Sequence, residues 1–277
     1  MKKKYNITLY FTTAILLTIV FSCNIFEDEV KQETFQKIDE YHPTAMFYPA
    51  MAFPDTNSIK LFYTNDNKLS ERIGCLINTY FGYRFYAFVG DTVSYYKDSI
   101  VVRKKLLSNK DFEYLDEYKS TFILNNGLII KEFRVGDMYN ETHRKYDTLL
   151  YSYNKKKQVE EITQIIYYPR KKSWFKYDED GNLNLIISEK YYGDTPVFRD
   201  TMWFFDYDNS PNLVKNLNIF QECFYRSLST NNFREYIHKS YRLSDSMLVS
   251  TEKRSWEFTY DENNCPIYKP INFSMFY

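Results

Sequence analysis

The chain has 277 residues, with 36 Lys and Arg against 36 Asp and Glu and a formal net charge of zero. That balance leaves no basic surplus to hold nucleic acid or an anionic leaflet. Aromatic residues make up 19% of the chain, with 28 Tyr and 23 Phe against only 7 Gly; side chains of that kind favour pleated, half-buried surfaces, so the composition points to an antiparallel β protein.

Lys2, Lys3 and Lys4 open the chain, and an apolar stretch runs from Ile7 to Phe21. A basic start followed by a run of this length has the anatomy of a secretory signal and is short for a membrane-spanning helix. No A-x-A site ends the run; Val20, Phe21 and Ser22 lead directly into Cys23. This ending resembles the lipobox of bacterial lipoproteins, with an apolar residue ahead of the cysteine and a small one next to it. In that family the cysteine sulfur takes a diacylglyceryl group and becomes the mature N-terminus. The resemblance therefore implies lipidation at Cys23 and a membrane partner reached through the lipid. Each buried CH₂ contributes roughly 0.8 kcal/mol, so two or three acyl chains anchor effectively permanently. An uncleaved anchor and a plainly cleaved signal stay open as alternatives. Glu27, Asp28 and Glu29 follow closely. They resemble the acidic export signal of some Bacteroidetes lipoproteins sent to the cell exterior, although short charge runs also serve as solvated linkers. The implied location is the outer membrane, facing outward. The chain then divides into a signal peptide over 1–22, an acidic tether over 23–45 and one antiparallel β domain over 46–277. Residues 1–22 carry three lysines and no acid, so the remainder sets 33 basic residues against 36 acidic ones, a charge of −3.

The domain carries a repeat. Tyr63, Tyr153, Tyr177, Tyr207 and Tyr260 are each followed by Thr, Asn or Asp and a short polar turn, and apolar residues return at Leu69, Val159, Leu183, Leu213 and Ile267. The copy FKYDEDGNLNLI is the clearest. Asp178 is placed to bond the turn amides, and Gly181 suits the positive φ of a type I turn with a G1 bulge. Asn67 and Asn264 stand at the equivalent position and tolerate that conformation; Lys157 tolerates it less well. Pro211 cannot adopt it, because its ring fixes φ near −65°. Ser210-Pro211 instead reads as an N-cap and first helical residue, and Leu213, Leu217, Phe220 and Phe224 predict a short helix over about 211–228. Residues 120–133, with Asn126-Gly127 between apolar runs, predict a further hairpin lacking the Tyr-Asp signature.

Around these turns apolar residues alternate, as in Leu183, Leu185 and Ile187. Lys131, Glu161, Lys176 and Asp206 interrupt the strands, which a lipid-facing barrel band does not tolerate. The expected fold is all-β: an antiparallel meander of repeated hairpins forming a curled sheet or soluble barrel, with one short helix.

The Tyr-Asp-x-x-Gly-x-Leu spacing resembles the YD repeats of Rhs-type proteins. The lipobox, the Tyr-Asp meander, the stretch YDNSPNLVKNLNIFQECFYRSLSTNN and the closing WEFTYDENNCPIY together resemble a family of Bacteroidetes lipoproteins carrying a domain of unknown function described as porin-like. The resemblance covers roughly residues 55–277. Only one copy keeps the Asp-Gly turn, and the early copies depart furthest. It implies a fold and an envelope location, and no activity.

No constellation for a reaction stands out. His42, His143 and His238 have no ligand spacing or nucleophile pattern around them. Setting Cys23 aside, Cys75, Cys223 and Cys265 allow at most one disulfide and leave a thiol over, and none belongs to a Cys/His cluster of metal-ligand spacing. Asp178, Asp180 and Asn182 alternate as in a calcium loop and Glu189 falls in its last slot, but Leu183 occupies the slot that requires glycine. No metal and no cofactor are expected. Trp174, Trp203 and Trp256 offer faces for stacking on sugar rings; cross-strand packing on a sheet is the commoner role of such aromatics. Trp174 is the foremost candidate, because Phe175 and Tyr177 take the opposite face of its strand. The expected function is a non-catalytic binding or scaffolding module of the cell envelope whose partner is a glycan or an envelope protein. The alternative is a hydrolase acting on envelope polysaccharide, which a close carboxylate pair in a deep cleft would favour.

Overall fold

A computed structural model of the chain describes residues 37–46, 58–79, 82–107, 112–135, 146–165 and 170–269. Cys23, the acidic cluster Glu27–Glu29 and His143 lie outside the described residues. Among the described residues, fourteen strands form one antiparallel sheet in strict sequence order. They are β1 (Glu40–Tyr41), β2 (Ile59–Tyr63), β3 (Leu69–Thr79), β4 (Gly82–Tyr96), β5 (Ser99–Leu107), β6 (Phe112–Asn125) and β7 (Leu128–Val135). The second half continues with β8 (Tyr146–Tyr153), β9 (Val159–Ile165), β10 (Arg170–Tyr177), β11 (Leu183–Tyr192), β12 (Thr195–Tyr207), β13 (Phe233–Arg242) and β14 (Met247–Ser255). A short helix, α1 (Gln221–Ser227), sits between β12 and β13, and a small separate hairpin, β15 (Thr259–Tyr260) with β16 (Pro266–Ile267), follows.

β1 and β14 are the two edges and do not pair with each other, so of the two expected forms the sheet takes the open, curled one. The helix explains the curl. Glu222 of α1 reaches Arg72 of β3; Phe224 meets Tyr151 of β8 and Phe175 of β10; Tyr225 meets Phe204 of β12. One seven-residue helix touches strands from both halves because the sheet wraps around it. Its inner face and the helix share one core, with Leu183, Ile186, Phe204, Phe233, Leu217 and Cys223 all buried. The folded unit also begins earlier than expected. Ile38, Tyr41, His42, Ala45 and Met46 are buried, so the end of the segment read as a tether belongs to the fold.

The repeat has one closing geometry. In the clearest copy, the Asp178 amide donates to Asn182 O at 2.9 Å and the Gly181 amide to Asp178 O at 3.3 Å. The Asp178 carboxylate accepts the Asn182 amide at 2.8 Å. The same three bonds recur at Thr64–Lys68, Asn154–Gln158 and Asp261–Cys265. This is why an acceptor side chain follows each tyrosine: it binds an amide that the turn leaves over. The residues in the Gly181 position all have positive φ, 59° for Asn67, 61° for Lys157, 86° for Gly181 and 57° for Asn264. A left-handed lysine costs roughly 1–2 kcal/mol. Lys157→Gly is therefore expected to stabilise by about 0.5–1 kcal/mol after glycine's extra chain entropy, while Gly181→Val loses about 1–3 kcal/mol. Urea unfolding of both variants checks this; shifts of the same sign would contradict the shared turn.

The fifth copy keeps the closure but carries an insertion. The Asp208 amide donates to Asn232 O at 3.1 Å, and the Asp208 carboxylate accepts the Asn232 amide at 3.0 Å. Residues 209–231 thus replace the three turn residues 179–181. The apolar residue that resumes the pattern is Phe233, not Leu213, and Phe233 is fully buried. The predicted helix over 211–228 is corrected as well. A 3-10 turn spans Lys215–Leu217, and the α-helix begins only at Gln221, with Phe220 rather than Ser210 in the N-cap position. Asn212 explains the late start. Its Oδ1 accepts the Val214 amide at 3.0 Å, and its Nδ2 donates to Arg226 O at 2.7 Å and Ser229 O at 2.8 Å. That side chain ties the start of the excursion to its end, which holds residues 211–214 out of helix.

The repeated tyrosines form a ladder. Tyr63 OH donates to Ile38 O at 2.8 Å, Tyr153 OH to Ile129 O at 2.7 Å and Tyr177 OH to Val159 O at 3.0 Å, and Tyr207 OH donates to Leu183 O. From Tyr153 onward, each hydroxyl ties its own hairpin to the one before it, and phenylalanine cannot do so. Burial raises these phenols, Tyr153 to about 12, so they stay protonated donors. Tyr177→Phe is expected to cost about 1 kcal/mol in equilibrium unfolding, the usual worth of one such bond; an unchanged unfolding midpoint would contradict the ladder.

Candidate functional site

The inward residues of the second half change character along each strand. Near α1 they are apolar, as in Phe175, Phe204 with Met202, and Tyr236. Towards the other end they become Ser173 and Lys171 on β10, Asp200 on β12 and His238 on β13. Where the apolar filling stops, a cavity of about 370 Å³ opens. Phe224 and Tyr225 of α1 form one side of it, with Tyr151 and Tyr236 on the sheet. Arg134, Gln164, Lys171, Ser173, Asp200, Gln221, His238, Glu252 and Arg254 supply its polar lining.

Register brings these groups together. Met202 lies opposite His238 and His238 opposite Glu252, so Asp200 falls diagonally across from the imidazole. His238 Nε2 is 3.2 Å from Asp200 Oδ1, and His238 Nδ1 is 4.0 Å from Glu252 Oε2. Glu252 is also paired with Arg254. On the opposite side, Glu132 pairs with Arg134 and accepts Tyr151 OH at 2.7 Å. Gln164 donates to Asp147, whose pKa is raised, chiefly by burial.

Burial also works against ionisation of Asp200, but the hydrogen bonds from His238 and Ser240 and the charge of Lys190 outweigh it and bring the pKa down to about 2. A depressed carboxyl stabilises the fold above the ordinary aspartate range and loses that contribution as pH falls through its folded value. Asp200→Asn is therefore expected to cost about 1–2 kcal/mol at pH 7, with the gap to wild type closing between about pH 4 and pH 2. Urea unfolding across that range tests it; a gap independent of pH would contradict it.

The three tryptophans are not brought together, and none lines the cavity. Trp174 lies on the outer face, where Nε1 donates to its cross-strand neighbour Glu161 at 2.9 Å. Trp203 lies on the same face between Leu185 and Ile237. Trp256, a candidate platform, is instead a core residue, 2% exposed. Its Nε1 donates to Thr44 O at 3.1 Å, and its ring meets Phe233 edge-on at 5.5 Å. His42 is buried and caps the short turn Pro43–Ala45 through Thr44. Cys75 and Cys223 are buried free thiols. Asp178 and Asn182, weighed as calcium ligands, are occupied by the turn and by the Asn231 amide. No group of three or more His, Cys, Asp and Glu among the described residues is arranged to hold a metal. No described helix is long and apolar enough to cross a membrane.

His238 was read as isolated because its partners come from neighbouring strands, and no local spacing shows them. A signal was present all the same. The inward series Phe175, Ser173, Lys171 and Tyr236, His238 both turn polar at the same distance from the repeat turns.

No protein-family model and no curated protein matches the chain. Among solved structures, the chain is similar to a porin-like protein from Bacteroides vulgatus ATCC 8482, at 12% identity over 79% of this chain and 94% of that one, with a TM-score of 0.49. It is also similar to a porin-like protein from Bacteroides uniformis ATCC 8492, at 13% identity over 79% of this chain and 90% of that one, with a TM-score of 0.45.

Proposed function

We propose that the protein is a lipid-anchored binding module of the bacterial cell envelope that takes a short saccharide in the hollow of its sheet. The hollow carries this reading. Its volume of about 370 Å³ lies in the lower part of the range of small-ligand sites, roughly 300–1,000 Å³. Aromatic rings stand on the helix side and hydrogen-bonding side chains on the sheet side. A sugar offers the matching pair of surfaces, an apolar ring face and a hydroxyl edge. The lining supports binding over hydrolysis. A glycosidase needs one carboxyl that stays protonated to serve as the acid; Asp200, beside His238, is shifted the other way, and Asp147, whose pKa is raised, stands behind Gln164 and outside the lining.

Attachment rests on the sequence: the basic start, the apolar run and Ser22-Cys23. The acidic cluster Glu27–Glu29 supports an outer-membrane position facing outward. In a host that lipidates, Cys23→Ala is expected to leave the protein unprocessed or free of the membrane fraction, and protease added to intact cells to cleave the wild type. Saccharide binding is tested by titration calorimetry on a panel of short glycans, comparing wild type with His238→Ala. The expected result is binding by wild type and loss in the variant, which stays folded with a melting temperature lowered only by the loss of the hydrogen bond to Asp200. Failure of wild type to bind any member would overturn the reading.

A further inference from the structure

Most charges in the hollow are matched. Glu132 is held by Arg134 and Tyr151, Asp200 by His238, and Glu252 by Arg254. Lys171 differs. Among the described residues its ammonium group makes no hydrogen bond and no ion pair, although it lines the cavity. Directly opposite it on β11 stands a second lysine, Lys190. The nearest carboxylate oxygen to Lys190 is on Asp200, at 3.9 Å. Burial, with the charge of Arg134 beside it, pulls the Lys171 pKa down, against the opposing effect of Asp200. Lys190 stands outside the lining with Asp200 beside it, so Lys171, next to Arg134, is the unmatched charge at the polar end of the cavity.

We propose that the hollow selects an acidic saccharide, with the sugar carboxylate seated on Lys171. This rests on the saccharide-binding reading and adds the charge of the ligand to it. A carboxylate accepts from the Lys171 ammonium group and supplies the counter-charge it lacks, which a neutral sugar cannot do. The ring then lies toward Tyr151, Phe224 and Tyr225, with its hydroxyls toward Gln164 and His238.

The test uses the mature full-length chain in detergent and three probes: digalacturonate, the neutral disaccharide galactobiose, and acetate. Wild type is expected to bind digalacturonate best, with affinity falling as salt rises. Lys171→Gln should weaken that binding about tenfold or more, the worth of a charge-assisted hydrogen bond, and leave galactobiose unchanged. The same substitution should leave the melting temperature unchanged or raise it, because it removes an unmatched charge. Equal affinity for both disaccharides, or no effect of Lys171→Gln, would overturn the acidic preference while saccharide binding stands. No binding of either disaccharide would overturn both readings. Acetate competing as well as digalacturonate would make Lys171 a simple anion site and sink the saccharide assignment. A fall in the melting temperature of Lys171→Gln would show that Lys171 already has a partner.

Discussion

Replacing Arg72 with methionine is expected to cost about 3–5 kcal/mol of folding stability, because it leaves the buried Glu222 without its counter-charge and Asp91 with only Lys104. Arg72, Asp91 and Lys104 stand directly opposite one another on β3, β4 and β5. Arg72 Nε donates to Asp91 Oδ2 at 2.7 Å, Lys104 Nζ lies 3.0 Å from Asp91 Oδ1, and Arg72 Nη1 is paired with Glu222 of α1. Tyr41 OH donates to the same Glu222 at 3.0 Å, and the Arg72 guanidinium lies 3.7 Å from the centre of the Phe220 ring. Burial alone would raise the Asp91 pKa; the charges of Arg72 and Lys104 outweigh it and hold it down. The helix is thereby fixed to the first half of the sheet by charge as well as by packing. Glu222→Gln should lose less than Arg72→Met, since Arg72 keeps Asp91. Urea unfolding of both variants orders them. An Arg72→Met protein within about 1 kcal/mol of wild type, the range of an exposed ion pair, would contradict a cooperative buried network.

Trp256→Ala is expected to cost about 3–5 kcal/mol, the usual loss for truncating a large buried aromatic. In a domain of this size that lowers the melting temperature by on the order of 10 °C. The indole holds the end of β14 against the turn at Thr44, and its ring forms part of the aromatic wall around the buried Arg226. Arg226 Nη1 donates to Phe233 O at 2.8 Å, and the guanidinium lies 4.1 Å from the centre of the Phe233 ring. Burial lowers the Arg226 pKa to about 10, so the cation depends on these rings and on that carbonyl. Trp174→Ala on the outer face should lose far less. Matching losses at the two sites would contradict the division into core and outer face.

Much of the fold was legible because the repeat is local. An acceptor after tyrosine, a residue able to take positive φ three positions later and a returning apolar residue lie within one short stretch, and each is set by turn geometry. Even the departure at Pro211 was legible. The resumption at Phe233 was not, because an insertion hides a closure that only the pairing of Asp208 with Asn232 reveals. The tyrosine ladder was equally hidden: each hydroxyl serves the hairpin before its own. Trp256 was placed by its chemistry rather than its surroundings, and its partners Thr44 and Phe233 come from distant segments. The hollow was half legible. Its polar drift along β10 and β13 is written in the alternation, but meeting at one cavity requires the register and the curl that α1 imposes.

The most direct measurement follows the His238 ring by NMR during titration with a saccharide that wild type binds. If the hollow is the binding site, the His238 ring signals and those of Tyr225 shift and saturate with the calorimetric affinity, while the Trp174 and Trp203 indole signals stay in place. Shifts confined to Trp174 or Trp203, with His238 unmoved, would place binding on the outer face and contradict the account.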